Sequence, residues 1–157
     1  MFNMMKNTTT IRTATKKDLA TIVTFQICLA RESEHLELEQ NILSKGVLYI
    51  LENPIRGEYY LAEVGNEIVA CLLILPEWSD WRNKEVLWIH SVYVKKEWRK
   101  QGVFRSMYEY LAKKVNTEKN YAGLRLFVDK RNTPAQKVYK SIGMNDEHYS
   151  LFEWLSV

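Results

Sequence analysis

A chain of 157 residues has room for one hydrophobic core of ordinary size. An apolar fraction of 46%, a charged fraction of 26%, five Trp and nine Tyr exclude a disordered composition. With 22 Lys and Arg against 19 Asp and Glu the formal charge is only +3, and the basic residues are scattered. That balance argues against an extended nucleic-acid face but still allows local recognition of an anion.

Residues 1–10 are polar, lack the apolar segment of a secretory signal and read as a flexible tail, leaving 11–157 as a single domain. No later run approaches the roughly 20 apolar residues that span a bilayer, so the reading is a soluble cytoplasmic protein without a membrane partner. Residues 11–14 read as a short strand. Thr15, with Asp18 three positions on, has the form of a capping box, and Leu19, Ile22, Val23, Gln26, Ile27 and Ala30 follow helical spacing, predicting a first helix to about Ala30. Residues 31–35 break the apolar pattern, and a second helix is predicted over 36–51, stopped by Asn53-Pro54. Residues 59–64 and 67–75 are β-rich and flank Gly65-Asn66, which predicts a hairpin.

A polar stretch, 76–84, carries Trp78 and Trp81 and leads into 86–94, which reads as a central strand. A third helix is predicted from about Gly102, because Val103, Met107, Leu111 and Val115 recur every four residues. Residues 124–128 read as a strand, and 133–142 as a short helix with Pro134 in its first turn and Gly143 closing it. Residues 144–148 and 151–155 are predicted as a terminal antiparallel pair. With Phe152 and Trp154 the last segment is a candidate homodimer edge, burial within the monomer being equally consistent. The order predicts a mixed α/β fold with a partly parallel sheet whose carboxyl-end crevice receives a ligand. Cys28 and Cys71 sit in apolar surroundings without Cys-x-x-Cys spacing or His ligands, so both read as buried free thiols in a reducing cytoplasm, and no metal is expected.

The most informative run is 92–105, a strand followed by a basic turn and an amphipathic helix. Free N–H groups at a helix start carry partial positive charge, and a glycine lets a diphosphate approach them. Arg99, Lys100 and Arg105 can add charge-assisted bonds. The turn lacks both the nucleoside-triphosphate loop pattern and the three spaced glycines of dinucleotide folds. Taken alone, Arg99-x-x-Gly102 also fits a solvated basic loop.

In context the run resembles motif A of the GNAT superfamily of N-acetyltransferases, where a strand enters Arg/Gln-x-x-Gly-x-Gly/Ala and a helix. Arg99, Gly102 and Phe104 occupy those positions, Phe104 standing where a small residue is usual. Leu124-Arg125-Leu126-Phe127-Val128, then Asn132-x-x-Ala135-x-x-x-Tyr139-x-x-x-Gly143-Met144, is similar to the family's second strand and helix. Ser79-Asp80-Trp81-Arg82 and the stretch from Trp88 to Val94 are similar to a bacterial-type branch of unassigned substrate.

The resemblance implies a mixed sheet with splayed central strands, acetyl-CoA as acyl donor, and acetyl transfer to a primary amine of a small molecule or protein by direct attack. It implies that Val92 and Val94 contact the pantetheine. Gln101, Gly102, Val103, Phe104 and Arg105 would hold the pyrophosphate together with Arg99 and Lys100. Asn132 would position CoA or cap a helix, and Tyr139 would be the acid for the departing thiol. Glu34, Asp80, Glu85 and His90 all stay open as the general base. Trp78, Trp81 and Trp88 could line the acceptor pocket, with Glu34 or Asp80 attracting an ammonium; core packing explains the same aromatics equally well. The alternatives to an enzyme are a silent acyl-CoA sensor and a nucleic-acid-binding module.

Overall fold

Residues 59–64 and 68–75 are almost continuously apolar, which suits strands covered on both faces rather than one. The computed structural model, which describes residues 8–156, has both coverings. Strands β1 (Thr9–Thr13), β2 (Glu58–Val64), β3 (Glu67–Ser79), β4 (Lys84–Val94) and β5 (Tyr121–Leu126) form one sheet in the order β1-β2-β3-β4-β5. The first four pair antiparallel, whereas β4 and β5 run parallel. Helices α1 (Leu19–Leu29) and α2 (Gln40–Glu52) lie on one face, where Ile22, Phe25 and Val47 pack with Leu61, Cys71 and Tyr93. Helix α3 (Val103–Thr117) lies on the other, and its four-residue spacing puts Val103, Met107 and Leu111 against Leu72, Leu87 and Ile89. The expected mixed α/β sheet is therefore present.

The chain divides into two compact units, Met1–Phe127 and Val128–Val157. The first holds the whole sheet; the second holds α4 (Thr133–Ser141). Asn132 caps α4 by accepting the Ala135 N–H at 3.2 Å, and Gly143 closes it at φ 91°. Among the described residues no helix is long and apolar enough to cross a membrane.

Several boundaries differ from expectation. Of the tail 1–10, residues 1–7 lie outside the described residues, whereas Thr9 and Thr10 already pair with Val64 and Glu63. The first helix does not stop at Ala30 but widens into a π turn, Ala30–Glu34, that ends at His35 with φ 56°. The second helix starts at Gln40 rather than 36, because the Glu39 carboxylate caps the Asn41 and Ile42 N–H groups while Leu36 and Leu38 stay exposed. The strand expected at 124–128 is Tyr121–Leu126, set by the register that pairs Tyr121 with Glu85. The terminal pair 144–148 and 151–155 does not form: these residues are irregular, and Tyr149, Phe152 and Trp154 are exposed. Alternating aromatic residues suit a strand, but a lone two-stranded hairpin does not support itself in water. Cys71 is fully buried as expected, while Cys28 is only half-buried; both are free thiols.

The predicted capping box is built around Asp18, which accepts the Thr15 N–H at 2.7 Å and both Arg12 Nη1 and Nη2 at 2.9 Å. The Arg12 hydrogen bonds, with those from Thr15, outweigh desolvation and hold the Asp18 carboxyl at about 2. Because the folded value is depressed, this stability is complete above about pH 4 and is lost as pH falls through about 2. Asp18→Asn is expected to cost about 1–2 kcal/mol at pH 7, a gap that narrows toward pH 2. Urea midpoints at the two pH values measure this, and a gap independent of pH would rule out the carboxylate as its source.

Candidate active site

Strand β4 is the spine of the site. Its parallel ladder with β5 begins at Glu85↔Tyr121 and ends at Ile89↔Leu126, yet β4 itself continues through residues 90–94. Among the described residues, the backbone of 90–94 on that side has no β5 strand to pair with, because β5 ends at Leu126, so the sheet is open along this edge of β4. On the other side the β3 register steps from Cys71↔Tyr93 to Leu73↔His90, which places an extra residue in β4. That bulge centres on Ser91, at φ 52°. Before it Leu87 and Ile89 face α3; after it Val92 and Val94 do. The buried Gln26 of α1 holds the bulge, its Nε2 donating to the Ser91 carbonyl and to Cys71 Sγ, each at 3.3 Å.

Beyond Val94 the Lys95 N–H donates to the Val69 carbonyl at 2.9 Å, and a short 3₁₀ turn, Lys96–Trp98, leads into the basic segment. Lys100 (φ 60°) and Gly102 (φ 81°) are both left-handed, and α3 begins at Val103, with Ser106 N–H and Oγ donating to the Gly102 carbonyl. A Cβ at Gly102 would meet nothing within 4 Å, so it is the left-handed backbone angle, and not a lack of space, that favours glycine there. The turn thus presents the N-terminus of a 15-residue helix beside the opening in the sheet. Phe104 does not fill that space: its ring packs on the α3 core cluster, as does Trp98.

A family model for the acetyltransferase (GNAT) family matches residues 24–144. The chain belongs to the acetyltransferase (GNAT) family. Membership makes it an N-acetyltransferase by class. A possible acetyltransferase from Clostridium difficile 630 is 38% identical, with 95% of this chain and 98% of that chain covered at a TM-score of 0.89. The fold is also shared at 15% identity with the ribosomal-protein-alanine N-acetyltransferase from Brucella melitensis biovar Abortus 2308 (95% and 100% covered, TM-score 0.78). At 14% identity it is shared with AAC(6′)-Iy in complex with a bisubstrate analogue, CoA-S-monomethyl-acetylneamine (96% and 99% covered, TM-score 0.78). No sequence match was found among proteins of curated function.

Within this acetyltransferase the expected site residues fall into five places. Val92, Val94, Arg99, Lys100, Gln101, Gly102, Val103, Phe104 and Arg105 lie on the end of β4, the turn and the first turn of α3. His90 lies where the ladder ends, half-buried beside Phe127 (6.2 Å) and Trp88 (6.4 Å), and Trp88 stacks on Phe127 at 4.4 Å. Burial lowers the His90 pKa, which favours a neutral imidazole at pH 7. Trp78, Asp80, Trp81 and Glu85 lie toward the opposite end of β4, where Asp80 accepts the Trp81 N–H at 2.9 Å and Trp81 is exposed. At about 3.3 Å per residue, Lys84 is about 20 Å from His90. These four are therefore not brought to the opening. Glu34 is exposed at the end of the π turn. Asn132 and Tyr139 lie in the second unit, where burial raises the Tyr139 phenol above its ordinary value.

Sequence reasoning missed Gln26, Ser91, Tyr93 and Glu32. The last carries a carboxylate, within the π turn, that accepts Arg99 Nη2 at 2.6 Å.

Proposed function

We propose that this enzyme transfers an acetyl group from acetyl-CoA to a primary amine of a small molecule or protein by direct attack, in the cytoplasm. Residues 11–157 would act as one catalytic domain, in keeping with a family match that spans both units. The observation that carries the reading is the end of the β4–β5 ladder at Ile89↔Leu126, immediately ahead of a turn with two left-handed residues at a helix start. Bound acetyl-CoA would supply an activated thioester with a good leaving thiol.

The protein's own residues do the rest. The backbone of Val92 and the N–H of Val94, whose carbonyl already accepts from Arg99 Nε, would offer hydrogen bonds to the amide-rich pantetheine, and N–H groups over residues 101–105 would receive the diphosphate. His90 is the base we favour among the four candidates, because burial favours its neutral imidazole and it stands at the end of the ladder. Tyr139 is the proposed acid for the departing thiol. Initial rates with acetyl-CoA and a panel of polyamines, amino acids, aminoglycosides and peptide amines, read as acetylated product and free thiol, test the reading. An acid limb of kcat/KM below the usual histidine range, absent in His90→Gln, is expected. Acetyl-CoA binding without turnover of any amine would reduce the protein to a donor-binding module, and no binding at all would remove the reading.

A further inference from the structure

We propose that Glu32 and Arg99 form an ion-pair brace that sets the shape of the diphosphate turn, so that the Arg99 guanidinium positions the turn instead of contacting the phosphates. This rests on the donor-binding reading above and adds a positioning pair to it. Arg99 is committed within the protein on three sides. Its Nε donates to the Val94 carbonyl at 2.9 Å, its Nη2 donates to Glu32 Oε2 at 2.6 Å, and its Cζ lies over the Tyr93 ring, 5.6 Å from the ring centre. Val94 is the last residue of β4, so the side chain folds back over the exit of the strand from the sheet.

Glu32 gathers the other groups of the same corner. Its Oε1 lies 3.6 Å from Lys96 Nζ and accepts the Tyr93 hydroxyl at 3.5 Å. Burial works against the charged carboxylate, but the hydrogen bond and charge of Arg99, with the charge of Lys96, prevail and lower its pKa, so it is ionised at neutral pH. Glu32 is placed by the π turn, a local widening that shifts the register of side chains following it. The preceding helix, α1, already holds the bulge through Gln26 and Ser91. One continuous helical segment therefore grips β4 beside the opening and again at the turn. The backbone N–H groups at the start of α3 need no help from Arg99 to meet an anion, only a fixed orientation.

The two roles for Arg99 differ in sign. If Arg99 were a phosphate ligand, Glu32 would be its competitor, and neutralising Glu32 would tighten donor binding. If the pair is a brace, neutralising Glu32 loosens the turn and weakens donor binding. Calorimetric titration of the full chain with acetyl-CoA, for wild type, Glu32→Gln, Arg99→Gln and the double variant, separates them. Glu32→Gln is expected to weaken binding about 5–20-fold, and the double variant to bind no more weakly than Arg99→Gln alone. Glu32→Asp, which keeps the charge, is expected to recover part of the affinity. In kinetics the acetyl-CoA KM of Glu32→Gln should rise with kcat nearly unchanged, while the KM for S-acetylpantetheine, which lacks the diphosphate, should not move. Unchanged or tighter acetyl-CoA binding by Glu32→Gln, or equal weakening of both donors, would overturn the brace. Wild type that fails to bind acetyl-CoA would be a failure of the donor reading itself.

Discussion

Gly102→Glu is expected to weaken acetyl-CoA binding by at least about 100-fold while the protein stays folded. Two terms act together. At φ 81° any side chain costs about 1–2 kcal/mol of backbone strain, although a Cβ there would touch nothing within 4 Å. The carboxylate would then project beside the start of α3, where the diphosphate is proposed to sit. A unit charge about 4 Å from another costs up to about 4 kcal/mol at a surface dielectric, and about 2.8 kcal/mol is already 100-fold. Gly102→Ala separates the terms: it carries the strain without the charge and is expected to lose only several-fold. Calorimetry measures both, with thermal unfolding showing a loss of no more than several degrees for either. Glutamate binding acetyl-CoA as well as alanine does would move the diphosphate away from this turn.

What the sequence disclosed and what it hid divide along chain distance. The capping box at Thr15 and Asp18, the Gly65-Asn66 turn and the four-residue repeat of α3 are local patterns, and each formed where expected. So did the run from strand to basic turn to helix, because a glycine at a helix start is itself a local feature. The groups that shape the opening are not local. Gln26 and Ser91 are 65 residues apart, and Glu32 and Arg99 are 67 apart. No periodicity marks Ser91 as a bulge, since Ser91-Val92-Tyr93-Val94 reads as an unbroken strand. The reverse error appears at 151–155, where alternation suggests a strand but pairing is a property of two segments, and none of the described residues there forms one. The placement of Trp78 and Trp81 was equally hidden: aromatic composition fits a pocket lining and core packing alike, and only the strand register puts both at the exposed tip, at the far end of β4 from the turn.

Tyr139→Phe is expected to lower kcat by about 100-fold or more, with acetyl-CoA affinity unchanged. The substitution removes one hydroxyl and keeps the ring, and Phe and Tyr have nearly equal helix propensity, so α4 should retain its stability. Burial raises the phenol above its ordinary value, so it stays protonated through neutral and mildly alkaline solution. A raised acid extends the active range upward: the rate should hold to beyond the usual tyrosine value before falling, and the variant should lack that alkaline limb. Loss of uniform binding would instead raise KM at constant kcat, and damage to packing would lower the unfolding temperature. If kcat survives the loss of the hydroxyl, the ring serves packing alone, and the departing thiol takes its proton from solvent or another side chain.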